Sequence, residues 1–105
     1  MIRTTPYRLD ALGAAGILLA LMVPALAYTG QKLAGQAKVT ITQARETALK
    51  AHPGKITDEE LERESGGSGL RYSFDIKNGS RTQEVGVDAA SGKVLENKTE
   101  GPHPD

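Results

Sequence analysis

Two histidines, no cysteine and one dense run of carboxylates are the residues of this chain whose types and spacing bear most directly on chemistry. A hydrolytic or transfer site needs a nucleophile or a metal with a base in reach. His52 precedes Pro53-Gly54 at an expected helix end, where an imidazole complements the dipole, and His103 lies between Pro102 and Pro104. No His-Glu-x-x-His stretch, Gly-x-Ser-x-Gly turn or phosphate-binding glycine loop is present. The lack of cysteine removes thiol catalysis, redox function and thiolate zinc sites. These absences describe a protein that is not an enzyme, with no catalytic residue and no cofactor.

The carboxylates are Asp58, Glu59, Glu60, Glu62 and Glu64. On a β-strand, Asp58, Glu60, Glu62 and Glu64 project from one face about 7 Å apart, a ladder that attracts a divalent cation or a basic partner surface. The plainer reading is a solvated strand whose charges resist edge-to-edge aggregation. Metal ligands are therefore assigned only under a cation-binding alternative. Ile56 breaks the alternation, which calls for a bulge or an irregular start.

The N-terminal third carries an address. Arg3 and Arg8 precede an apolar run from Ala11 to Val23, and Pro24 leads into the small-residue exit Ala25-Leu26-Ala27. That order is a signal peptide over residues 1–27, with Ala25 and Ala27 at the cleavage site. The alternative is an uncleaved anchor in the inner membrane, for which this run is barely long enough. Export to the periplasm or the exterior follows from cleavage, and contact with the membrane only from its failure.

Cleavage after Ala27 leaves 78 of the 105 residues, with 11 basic and 12 acidic side chains. This is one small domain. Its charge balance argues against nucleic acid, whose phosphates require a basic surplus. Without disulfides, stability rests on sheet pairing, a helix face and turns.

The elements that position these residues follow in order. Residues 28–38, small and polar with Gly30 and Gly35, show no period and read as a flexible leader. Thr40 and Gln43 form a capping box for a helix running to about Ala51, with Ile41, Ala44, Ala48 and Leu49 on its apolar side and Arg45, Glu46 and Lys50 facing out. Pro53 and Gly54 end it. Residues 56–64 fit a short acidic helix, with Thr57 and Glu60 as a second capping box, or a strand; Ser65 to Gly69 is a flexible turn in either case. Leu70, Tyr72, Phe74 and Ile76 alternate with Arg71, Ser73, Asp75 and Lys77, placing one face on the core and one in water. Asn78-Gly79 marks a tight hairpin. A strand from Arg81 to Asp88 points Val85 and Val87 inward. A turn over Ala89 to Lys93, with Asp88 bonding turn amides and Gly92 at positive φ, leads to a short strand at Val94-Leu95. Residues 99–105 read as a disordered tail. The fold class is α+β, one N-terminal helix packed on an antiparallel sheet of three to four strands.

Four stretches give this order a resemblance: Val39-Thr40-Ile41-Thr42-Gln43-Ala44, Ala51-His52-Pro53-Gly54, Tyr72-Ser73-Phe74-Asp75-Ile76, and Val87-Asp88-Ala89-Ala90-Ser91-Gly92-Lys93-Val94-Leu95. Together they resemble a PepSY domain, over residues 39–98. The resemblance implies a bacterial cell-envelope protein and turns residues 56–64 into a strand. It also implies a non-catalytic interaction module, a regulator or inhibitor of a peptidase or sensor protein. With no peptidase domain following, such a module acts in trans. The partner expected is an unidentified envelope protein.

Overall fold

The computed structural model describes residues 27–100. Ala25, most of the expected signal peptide and His103 lie outside the described residues.

Helix α1 (Ile41–Ala51) begins where the capping box places it. Gln43 N donates to Thr40 Oγ1 at 3.1 Å and Thr40 N donates to Gln43 Oε1 at 2.9 Å. This reciprocal pair satisfies two amides that the first helical turn leaves open, and a cap of this kind stabilises a helix by about 1 kcal/mol. His52 is the C-cap, its amide donating to Ala48 O.

Four strands follow: β1 (Lys55–Arg63), β2 (Leu70–Asn78), β3 (Arg81–Asp88) and β4 (Val94–Thr99). They form one antiparallel meander in the order β1-β2-β3-β4. The helix lies across one face, over β2 and β3. Ala44 and Ala48 are fully buried against the alternating apolar set Tyr72, Phe74, Ile76, Val85 and Val87, with Leu61 from β1. Two alanines at the contact let the helix backbone come close to the sheet, so the larger side chains of the strands fill the layer between them.

The acidic segment is a strand, and the break at Ile56 is a bulge. Ile56 pairs with Ile76 but Asp58 pairs with Asp75, leaving Thr57 as the extra residue. Because strand faces alternate with period 2, one inserted residue flips the parity. Ile56 and Leu61 thereby share the helix face while Asp58, Glu60 and Glu62 share the other. Glu59 also falls on the helix face. Its carboxylate takes two donors from Arg45 of α1, Nε at 2.5 Å and Nη2 at 2.9 Å. Arg45 therefore does not face out as helical spacing suggests; it is half-buried across the helix–sheet gap.

Other expectations are corrected. Residues 28–38 are not a flexible leader. Thr29 N donates to Glu59 O and Leu61 N donates to Thr29 O at 2.8 Å, a parallel bridge along the free side of β1. Gln31–Gln36 form a 3-10 helix, and Tyr28 and Leu33 pack against the core. Gly30 makes the approach possible: at φ 83° it sits so close that a Cβ would stand 1.9 Å from Leu61 O. The contacts that tie this segment to the sheet are to residues distant in sequence, and local period reveals none of them. At the other end, β4 extends beyond Val94-Leu95 to Thr99, and Glu100 N still donates to Thr82 O, so residue 99 belongs to the sheet and not to a tail. The hairpin places Gly79-Ser80 at its tip, with Asn78 paired to Arg81 and its side-chain amide donating to Pro53 O at 3.0 Å.

Candidate interaction surface

The face of the sheet opposite α1 carries most of the chain's distinctive polar groups. Cross-strand register lines them up: Glu62 beside Arg71 and Asp88, Glu60 beside Ser73, Gly86 and Glu96, and Asp58 beside Asp75, Glu84 and Lys98. This face is not simply in water, as alternation alone predicts. Arg71 and Ser73, on the central strand, are 8% and 9% exposed, because long acidic side chains on both sides lean over them.

Asp88 is the most enclosed of the set, 2% exposed. Its Oδ1 accepts from Ser68 N at 2.7 Å, and its Oδ2 from Ala90 N at 3.0 Å and Ser91 N at 2.8 Å. Burial alone would raise its pKa; the amides of Ser68, Ser91 and Ala90 and the Ser68 hydroxyl outweigh that and hold the carboxyl well below the usual carboxylate range. Gly92, at φ 80°, closes the turn by donating to Asp88 O. The Ser65 to Gly69 loop, expected to be free, is thus pinned to the β3–β4 turn. Gly67 lets it in: a Cβ there would lie 2.4 Å from Asp88 Oδ1. Next to it, Arg71 donates to Glu96 Oε1 and to Ser65 O, both at 3.2 Å, tying β2 to β4 across β3. Gly86 leaves the room for that span.

Further along, Asp58, Glu60, Glu62, Ser73, Asp75, Glu84 and Glu100 line an open groove of about 240 Å³. Crowding shows in the acidities. Burial, then a hydrogen bond with Glu100, pushes Glu84 up to about 7. Burial raises Asp75, with Glu100 and Asp58 adding to it, and a hydrogen bond with Glu62 followed by burial raises Glu60. Ser73 Oγ donates to Glu62 Oε2 at 2.8 Å. The ladder ends one residue early: Glu64 lies past β1 and is not in the groove. Among the described residues, no three His, Cys, Asp or Glu side chains converge in a way that would hold a metal ion. The carboxylates are spread over three strands of a pleated surface instead of being wrapped around a point.

The sheet has two edges, and they differ. Thr29 covers part of β1. Along β4 no chain pairs among the described residues, and Val94, Leu95, Asn97, Lys98 and Thr99 are all exposed. The bond from Glu100 N to Thr82 O places residue 100 in a hydrogen-bonded row with β3. By the alternation of antiparallel ladders, the backbone groups of Glu96 and Lys98 face β3 and those of Asn97 and Thr99 face outward; a bulge at Leu95, between the Gly86–Glu96 and Val87–Val94 pairs, ends that parity.

The PepSY family profile, described as peptidase propeptide and YPEB domain, matches residues 38–98. The chain belongs to the PepSY family. The match spans every strand and α1, starting where Lys38 N and Val39 N both donate to Ala89 O and ending at Lys98 in β4. It leaves out the 3-10 helix, so the segment that covers β1 lies outside the family unit. No curated protein and no solved structure matches the chain.

Within the PepSY unit the turn residues read from the sequence, Pro53, Gly54, Asn78, Gly79, Asp88 and Gly92, sit at the ends of elements and hold the fold. They do not converge on a site. His52 stays at the helix end as its C-cap, its Nε2 buried without a hydrogen-bond partner among the described residues. Sequence reading placed Arg71 and Glu84 on the polar sides of their own strands but did not join them with Glu96 into one face. What joins them is the register between strands, which pairs Arg71 with Asp88, Glu84 with Lys98 and Glu96 with Gly86 on one face.

Proposed function

We propose that this PepSY protein is a non-catalytic interaction module of the cell envelope, regulating or inhibiting a peptidase or sensor protein in trans by accepting an extended segment of that partner along β4. The observation that carries the reading is the asymmetry of the edges: β1 is bridged by Thr29, while β4 offers outward amides and carbonyls at Asn97 and Thr99. In strand addition, main-chain hydrogen bonds supply affinity and alternating side chains supply selection. The family's tie to peptidase propeptides supports a partner of that class. Export through residues 1–27, with cleavage after Ala27, brings the module to the same compartment; no helix among the described residues is long and apolar enough to cross a membrane. The intact mass of the exported protein tests the cleavage.

Affinity capture from envelope extract tests the docking, using the exported protein beside its Asn97→Pro variant. Proline at an outward amide leaves the β3 ladder intact and removes one edge donor. The reading expects a partner retained at moderate salt by the first and lost by the second. Equal retention by both would move the site away from β4.

A further inference from the structure

The open edge is complementary to itself. Beyond the bulge at Leu95 its outward backbone groups are those of the odd-numbered Asn97 and Thr99, so an antiparallel mate must pair odd residues with odd there. Centring a two-fold axis on Asn97 makes Asn97 exchange both main-chain bonds with its own copy and brings Thr99 up to the bulge at Leu95, where the regular seam ends. The rows between, where side chains approach most closely, then hold Glu96 opposite Lys98, twice. Neighbouring registers are worse. Moving the axis one residue toward the N-terminus opposes Glu96 to Glu96, and one residue toward the C-terminus opposes Lys98 to Lys98 and Glu96 to Glu100. Lys98 is available for the contact: its side chain is 64% exposed and already lies 3.1 Å from its own Glu96. Across the axis it would complete an alternating square of two lysines and two glutamates. Exposed Val94 and Leu95, at 41% and 37%, stand at the end of the same seam.

We propose that a second copy of the chain closes the β4 edge, joining two four-stranded sheets into one of eight strands with Asn97 on the two-fold axis. This rests on the reading of β4 as the docking edge and names its occupant when no partner is present. A seam of six residues per copy is small, so the dimer is weak, with a dissociation constant of about 10 to 1000 µM. It protects the edge in the free protein and yields it to a tighter partner.

Sedimentation equilibrium of the purified exported protein tests this. The average mass should climb from one protomer toward two across that concentration range. Lys98→Glu, which sets Glu opposite Glu, should weaken association at least tenfold, as should Asn97→Pro. Since the chain has no cysteine, Asn97→Cys introduces a single thiol next to its copy at a Cα separation of about 5.5 Å, within disulfide range. It should oxidise to a covalent dimer at least tenfold faster than Ser80→Cys at the hairpin tip. A protein that stays monomeric to 1 mM, or a dimer indifferent to both Lys98→Glu and Asn97→Pro, overturns the proposal. Partner capture sensitive to Asn97→Pro would still stand in the first case, so the two ideas fail separately.

Discussion

Asp88 joins two loops that are far apart in sequence, accepting from Ser68 on one side and from Ala90 and Ser91 on the other while almost completely buried. A buried carboxylate that satisfies three backbone donors is structural, and its charge is what makes the bonds strong. Asp88→Asn keeps the shape but turns an –NH2 toward donors, so one or two amides lose their acceptor. The variant should lose about 2 to 4 kcal/mol in urea unfolding, and amide exchange at Ser68 should quicken with it. An unchanged midpoint would mean that the amides find other acceptors. Tyr72 is a second residue of this kind. Its hydroxyl donates to Val39 O at 2.7 Å, and burial, with Tyr28 adding to it, pushes its pKa up to about 12. Tyr72→Phe should leave the core packed, cost about 1 kcal/mol, and loosen the entry to α1, as seen in faster exchange at Lys38 and Val39.

At the scale of elements, the proposed docking rests on the leader over β1 and the unpaired β4. Gly30→Ala places a Cβ where Leu61 O already stands, at a backbone angle that alanine rarely adopts. The leader should then detach, with amide exchange at Leu61 accelerated and Phe74 unaffected; protection at both would show that the bridge tolerates the change. How much of this was legible in the sequence depends on the range of the cause. The capping box at Thr40 and Gln43, the Pro53-Gly54 break and the β2 alternation act over a few residues, and the chain displays them directly. The irregularity at Ile56 could be read from its parity, although the placement of Glu59 against Arg45 could not, since that pair needs the helix seated on the sheet. The leader's attachment, Arg71 reaching over Gly86 to Glu96, and the length of β4 all depend on pairing between distant segments. The carboxylate ladder was visible as a run, and the groove it joins was not, because Asp75, Glu84 and Glu100 arrive from other strands.

Over the whole molecule, a near-neutral chain separates its charge, gathering carboxylates on the face away from the helix. The consequence is a pH dependence of definite sign. Glu84, Asp75 and Glu60 have folded pKa values above their unfolded ones, so the native state binds more protons and stability rises as pH falls through the window from about 7 toward 4.5. Asp88 works the other way: its contribution is present above the unfolded value near 4 and is lost as pH falls further. The melting temperature should therefore be higher at pH 5 than at pH 8 and decline in stronger acid. Glu84→Gln should raise the pH 8 value and remove much of the difference; a profile flat from pH 5 to 8 would contradict the crowding. The central claim concerns the edge, and amide hydrogen exchange with and without captured partner addresses it most directly, at micromolar protein where self-association is slight. Slowed exchange at Asn97 and Thr99 on partner binding, with Leu61 unchanged, is the result expected. Protection confined to the leader or the helix, with Asn97 and Thr99 exchanging as freely as before, would contradict it.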